Sequence, residues 1–315
     1  MATIADVAKL AGVSKATASR AFSRPEMVSP ATAQRVRDAA DKLGFVVNNT
    51  ARLLAGGRTG ILALVVPTLD NSFVSPIIGG AQARADEAGL QLTVVVHPLE
   101  RAAELAVFER LARQVDGFII VAPRGTDDIV VTAASSKPTV LVDREIEGVS
   151  SVVADTASAF GSLAERFVQD GHERLVYVGG PDGSWQDAQR TAAVCDAADA
   201  LGAELRVVGP YPSTFAAGVE AAAAVRPHEP TAVIPYATAI GLGIQYAYLA
   251  DDAKPPVVSS ERAIVDALGL RGVPAIDVDG HELGRLAAEA VIARIADPAA
   301  PLAQSRLPVP VDWGV

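Results

Sequence analysis

The sequence predicts an N-terminal all-α helix-turn-helix domain followed by an α/β two-lobed domain. Three observations carry this expectation: short, well-capped helical segments before residue 45, alternating apolar strands and helices from residue 60 onward, and a charge split between the two regions. Half of the 315 residues are hydrophobic and a fifth are charged, ample for buried cores in a chain long enough for two or three compact units.

The helical start is legible residue by residue. Thr3 is placed to cap a helix over Ile4–Ala11, with Asp6 as a carboxylate variant of the capping box. Ile4, Val7, Ala8 and Ala11 share one face, and Gly12 ends the helix. Gly12-Val13-Ser14 is a tight turn, and Ser14 caps a second helix over Lys15–Phe22, whose Ala18 and Ala21 are small enough to sit close against the first. Two short helices joined by a glycine-containing turn form a helix-turn-helix, in which the second helix enters the major groove of DNA. Ser29-Pro30 opens a third helix that runs through Val36 and Leu43 and stops at Gly44.

Charge supports that reading. The net charge is −10, yet residues 1–58 hold nine Lys/Arg against four Asp/Glu, about +5, leaving about −15 for the rest. A basic head on an acidic body brings one end of the chain to phosphate and keeps the other away.

From Gly60 the strand signals are Ile61–Val66, Leu90–Val96, Gly117–Val121, Thr139–Val142, Leu175–Val178, Leu205–Val208, Ala232–Ile234 and Pro274–Asp277. Helical stretches between them include Val74–Ala88, Ala102–Arg113, Ala157–Asp170, Gln186–Leu201 and Ala216–Val225. This alternation implies parallel sheets with right-handed crossovers. Eight strands exceed one comfortable sheet, so two lobes with a cleft between them are expected.

Several chemistries find no pattern. His97, His172, His228 and His281 lack metal-site spacing, and one cysteine cannot build a thiolate site. The Gly56–Gly60 run lacks the Gly-Lys-Ser/Thr of a phosphate loop, and Gly179-Gly180-Pro181-Asp182-Gly183 is no dinucleotide fingerprint. No catalytic constellation, and hence no enzyme, metal or cofactor, is expected. Cys195 is expected in the core of a helix; as the one cysteine it can form no internal disulfide, which fits a reducing compartment. No window approaches a membrane span, and MATIADVAKLAG lacks the basic start and apolar run of a signal peptide, so a cytoplasmic protein with no membrane partner is expected.

TIADVAKLAGVSKATASRAF, VSPATAQRVRDAADKLGF and NNTARLLAGGRTGILALVVP together resemble the LacI/GalR family of bacterial repressors across residues 3–66, with looser similarity beyond. The resemblance implies DNA binding by residues 1–47, a hinge helix and linker at 48–59, and a periplasmic-binding-protein-like sensor domain at 60–315. Its N-lobe would comprise about 60–155 and 279–305, and its C-lobe about 156–278 and 306–315, with the chain crossing near 155, 278 and 305. It also implies a homodimer, with a tetramer left open, on a pseudopalindromic double-stranded DNA operator, controlled by a small-molecule effector whose default class is a sugar. Two rivals stand beside it: a protein partner in place of the metabolite, and a solute-binding protein of the same fold.

Roles follow by position. Lys15, Ala16 and Arg20 match the base-reading positions; Arg20 can grip guanine O6 and N7, and Ala16 offers a methyl for thymine. Ser14, Thr17 and Ser19 suit phosphate, although Thr17 and Ser19 equally suit helix packing. In the hinge helix Asn48–Ala55, the positions Asn48 and Ala51 accompany Leu54, the apolar wedge that would lever a minor-groove base step apart.

Ligands in doubly wound folds bind beyond the carboxyl ends of the strands. The candidates there are Asp70, Asn71, Phe73, Arg124 and Asp143 in the first lobe, and Trp185, Arg190, Tyr236 and Glu261 in the second. Arg190 matches the family's effector-gripping arginine, and Asp155 is expected to cap the crossover helix. Pro235-Tyr236 stands where the family commonly has Asn-Asp, and Glu261 where it has Asp; that removes groups that often hold a sugar hydroxyl, while an aromatic can stack on a ring, so a sugar effector is a default guess.

Overall fold

The computed structural model describes residues 2–23, 27–45, 58–251, 254–258, 261–269, 271 and 273–314. The chain divides into two compact units, residues 1–60 and 61–315.

The first unit holds α1 (Ile4–Ala11), α2 (Lys15–Ser23) and α3 (Pro30–Leu43). Each boundary has a chemical cause. The Thr3 hydroxyl and the Asp6 carboxylate form a reciprocal capping box. The Ser14 hydroxyl accepts from the Thr17 amide at 3.0 Å, and Ser29 accepts from Thr32 ahead of Pro30. Gly12 and Gly44 close α1 and α3 with φ of 66° and 58°. Val7, Ala8, Ala18, Ala21, Val36, Ala39 and Ala40 make the small core, in which alanines let the helices approach closely.

The second unit contains two parallel sheets. The first follows the order β10-β5-β4-β3-β1-β2, comprising β1 (Ile61–Val66), β2 (Gln91–Val96), β3 (Gly117–Val121), β4 (Thr139–Val142), β5 (Ser150–Ala154) and β10 (Gln304–Leu307). Both faces are covered, which is why β1 reads ILALVV without polar alternation. Leu62, Leu64 and Val66 point toward α4 (Val74–Glu87) and α12 (Gly280–Ala296), while Ala63 and Val65 point toward α5 (Leu105–Ala112) and α6 (Asp127–Ala134).

The second sheet is β7-β6-β8, from β6 (Arg174–Val178), β7 (Glu204–Val208) and β8 (Ala232–Pro235). On one face lie α7 (Thr156–Gln169) and α8 (Trp185–Leu201); on the other lie α9 (Phe215–Val225) and α10 (Thr238–Ala247). After the short α11 (Arg262–Leu268), β9 (Ala275–Ile276) pairs antiparallel with β11 (Val311–Asp312). Asp155 caps α7, its carboxylate accepting from the Ser158 amide.

The structure adds detail at three points. Near the expected last crossing at about 305, Arg306 and Leu307 still pair with Val153 and Ala154 in the first sheet. Strands β5, β10 and β11 carried no recognisable signal: β5 begins with two serines, both buried, and β10 is a polar edge strand, QSRL. Cys195 lies on α8 but is only half-buried, since the core-facing positions of that turn are Val194, Ala197 and Ala198.

Helices α4 and α12 cross at glycine contacts. A Cβ on Gly80 would overlap the His281 carbonyl oxygen, and one on Gly284 would overlap that of Ile77. Alanine gains about 1 kcal/mol in helix propensity, whereas overpacking against backbone costs about 1–3 kcal/mol or more. Gly80→Ala is therefore expected to be net destabilising, and Gly80→Ala/Gly284→Ala more so. Urea midpoints at an unchanged m-value check this, and an unchanged or higher midpoint rejects the close crossing.

Candidate DNA-binding surface and ligand cleft

Helix α2 presents two chemically distinct faces. Ala18 and Ala21 are buried against the other two helices, while Lys15, Ala16, Ser19 and Arg20 are exposed on the outer side. Ser14 is exposed and Thr17 half-buried; their hydroxyls bond each other at 2.8 Å, so both serve the cap of α2. Asn48, Ala51 and Leu54 lie outside the described residues.

In the second unit, the carboxyl ends of both sheets converge on one crevice. Asn71, Phe73, Asp143, Arg190, Tyr236 and Glu261 line a common cavity of about 60 Å³. Asp70, Arg124 and Trp185 do not. Asp70 is exposed and bonds Thr68, Arg124 pairs with Glu100 at 3.1 Å, and Trp185 lines a separate depression with Asp182 and Pro210.

Arg190 is the centre of the crevice. Its guanidinium is buried between two rings, 4.7 Å from the centre of Phe160 and 4.6 Å from that of Tyr236. Nε donates to Thr156 Oγ1 at 2.9 Å, and Nη1 donates to the Tyr236 carbonyl at 2.8 Å. Asp143 sits at the end of β4 with φ of 57°, and Ala122, beyond β3, has φ of 44°. Left-handed backbone at two non-glycine positions is uncommon, and both positions line the cavity.

Two contacts tie the lobes across this crevice, and neither donor carried a sequence signal. Ser72 donates to both Glu261 carboxylate oxygens, at 2.8 and 3.0 Å. Gln186 Nε2 donates to Asp143 Oδ1 at 2.9 Å, while its Oε1 accepts from Thr156. Burial pushes the Asp143 and Glu261 carboxyls upward; hydrogen bonds from the Ala154 amide and Gln186 partly offset this in Asp143 and that from Ser72 in Glu261, with a smaller opposing pull from Arg190 in both.

The Tyr236 ring packs on protein. It lies against the Gly180 α-carbon, where a Cβ would come within 2.6 Å of ring atoms, and against Arg190. Its hydroxyl is 3.2 Å from that of Ser184.

A helix-turn-helix unit and a two-lobed α/β unit on one chain define a class of two-domain, DNA-binding transcriptional regulators. Residues 3–48 match the model for bacterial regulatory proteins of the lacI family, and residues 59–311 match that for periplasmic binding proteins and the sugar binding domain of the LacI family. The chain is similar to the maltose regulon regulatory protein MalI of Escherichia coli K12, 32% identical over 257 residues, 78% of this chain and 75% of that one. It is 30% identical to the lactose operon repressor of the same organism, over 57% of this chain and about half (51%) of the repressor. Among solved structures it resembles the lac repressor dimer bound to operator and the anti-inducer ONPF, with a TM-score of 0.82 at 22% identity, covering 98% of this chain and 97% of that one. It also resembles the transcriptional regulator CelR in its cellobiose complex, with a TM-score of 0.73 at 23% identity over the whole of both chains. The chain belongs to the LacI family of DNA-binding transcriptional regulators, and its relatives are regulators, not enzymes. Among the described residues, no helix is long and apolar enough to cross a membrane.

Proposed function

We propose that the chain is a repressor that binds a pseudopalindromic operator as a homodimer and is controlled by an uncharged, hydroxylated effector in the inter-lobe crevice. The observation that carries the first part is the exposed outer face of α2, with Lys15, Ala16, Ser19 and Arg20 clear of the core and Ser14 and Thr17 at its start. In this reading residues 1–47 read the major groove, 48–59 form the hinge, and Asn48, Ala51 and Leu54 meet the minor groove. The dimer is supported by exposed apolar side chains on α9 and α10 and just beyond, Phe215, Tyr246 and Leu249, with the Phe215 and Tyr246 rings in contact.

Asn71, Phe73, Asp143, Arg190, Tyr236 and Glu261 form the effector site, with Gln186 and Ser72 added. Two buried carboxyl groups line the crevice with a single arginine, two of whose N–H groups bond Thr156 and the Tyr236 carbonyl; more acid than base in one site disfavours an anionic ligand and suits hydroxyl groups. The match to a sugar binding domain and to a maltose regulon regulator agrees with that chemistry. An effector regulates DNA binding only if its affinity differs between the lobe arrangements, and the Ser72–Glu261 and Gln186–Asp143 contacts are what such an arrangement would make or break.

Selection of duplexes by the full chain, followed by footprinting, tests this. A two-half-site sequence protected by a dimer is expected, and no enrichment of any sequence rejects the reading. On the selected duplex, Leu54→Ala is expected to lose about 1–3 kcal/mol of specific binding, the scale of a few-kcal/mol unstacking step, while salt-driven binding to random DNA is spared. Equal losses on both would remove the wedge role from Leu54.

A further inference from the structure

The topology of the second sheet opens two gaps for a ligand, and the effector crevice uses one of them. In the order β7-β6-β8, the central strand sends its chain to α8 on one face, while β7 and β8 send theirs to α9 and α10 on the other. The connections therefore part twice beyond the carboxyl ends, between β6 and β8 and again between β6 and β7. Such parting points are where open α/β sheets bind ligands. The first gap holds Arg190 and Tyr236; the second holds Trp185, which the effector crevice leaves out.

Every residue lining this second gap except Arg144 belongs to the second lobe, so its walls stay together in any lobe arrangement. Trp185 is half-buried and Val207 is exposed, which sets an indole plate beside apolar carbon. Two carboxylates share the lining. Asp187 Oδ1 accepts from the Tyr177 hydroxyl at 2.7 Å and the Gly180 amide at 2.8 Å, and Asp182 Oδ1 accepts from the Gly183 amide at 3.0 Å. The second oxygen of each accepts no hydrogen bond from the described residues. Arg144, the one cationic side chain on the lining among the described residues, is already paired with Asp127 at 2.6 Å. It is buried, its Nη1 donates to the Pro123 and Gly125 carbonyls, and its Nε has no partner. The gap thus combines two uncompensated carboxylates, an indole and one unsatisfied N–H donor.

We propose that the gap between β6 and β7 is a second small-molecule site, which takes a hydroxylated organic amine. Its ammonium group lies between the Trp185 face and the Asp182 and Asp187 carboxylates, and its hydroxyl offers Arg144 Nε the acceptor it lacks. Indole is the strongest aromatic partner for a cation, and charge-assisted bonds to carboxylate are the strong ones. An anion would meet two carboxylates and a guanidinium that is already paired. The first turn of α8 is a wall of both sites, with Trp185 on one side and Gln186 on the other. The amine site stands on its own residues and does not depend on what the effector crevice binds.

The test presents one carbon skeleton in three charge states, phenylethanolamine, styrene glycol and mandelate, to the full-length chain by calorimetry. The chain has two tryptophans, so Trp313→Phe leaves Trp185 as the sole indole and its emission reports occupancy directly. Phenylethanolamine is expected to change that emission saturably and to bind at least about tenfold tighter than styrene glycol, with mandelate weaker still. Phenethylamine, which lacks the hydroxyl, is expected to bind more weakly than phenylethanolamine. Asp182→Asn changes an exposed side chain, and both it and Trp185→Leu are expected to lose about tenfold in amine affinity. Trp185→Phe keeps a ring and is expected to retain binding, which separates loss of the site from loss of the fold. Glu261→Gln, in the effector crevice, is expected to leave amine affinity unchanged. Styrene glycol or mandelate bound as tightly as the amine overturns the proposal, as does no binding of the amine. Full affinity in both Trp185→Leu and Asp182→Asn overturns it too, and so does a loss in Glu261→Gln as large as theirs, which would place the amine in the crevice.

Discussion

Arg20→Ala is expected to lower discrimination between operator and random DNA by at least 30-fold while leaving weak, salt-sensitive binding in place. Arg20 is exposed on the outer face of α2, opposite Ala18 and Ala21, so its removal leaves the first unit's core untouched. A bidentate arginine–guanine contact contributes about 1–3 kcal/mol per half-site. A homodimer carries two such contacts, so about 2–6 kcal/mol is lost, a drop of roughly 30-fold to 10⁴-fold at 1.4 kcal/mol per tenfold. Fluorescence anisotropy across a salt series decides the matter. A base contact lowers specific affinity with little change in the nonspecific salt slope, because it releases few counterions. Equal loss on both kinds of DNA, with a shallower slope, would make Arg20 a phosphate contact and move sequence reading elsewhere on α2.

The three helices of the first unit were legible almost to the residue because their signals are local. Thr3, Ser14 and Ser29 each cap within three residues, and Gly12 and Gly44 stop helices by conformations that other residues resist. The parallel strands with apolar runs were legible for the same reason. Strand β10 was not, because its identity depends on pairing with β5, some 150 residues earlier, and its own residues are half polar. The crevice divides along the same line. Asp143, Arg190 and Tyr236 stand at strand ends or early in a helix, where fold geometry points. Gln186 and Ser72 matter only through what the opposite lobe places beside them, and neither residue type is unusual at a helix start. Trp185 fell outside the cavity because the first turn of α8 aims it to the other side of the helix from Gln186 and Arg190.

Replacing Arg190 is expected to produce the largest stability loss in the second unit, with a pH dependence that identifies its cause. Burial raises the Asp143 and Glu261 carboxyls, and the positive charge of Arg190 opposes that rise in both, beside the hydrogen bonds they accept from Ala154, Gln186 and Ser72. Arg190→Leu keeps an apolar body between Phe160 and Tyr236 but takes a positive charge away from two buried acids and removes the bonds to Thr156 and the Tyr236 carbonyl. Each hydrogen bond lost from the charged guanidinium costs about 1.5–3 kcal/mol. A carboxyl whose folded pKa lies above its unfolded value gives its most favourable contribution below the unfolded value, and loses it as pH rises through the folded one. Without Arg190 both folded values move further up, so that loss extends over a wider range above about pH 4. The variant's deficit is therefore expected to be smallest near pH 4 and largest near pH 7, measured as the difference in urea midpoints. A deficit that is constant across this range would assign Arg190's contribution to its hydrogen bonds and ring contacts alone, and Asp143→Asn/Glu261→Gln, placed in the Arg190→Leu background, would then restore nothing.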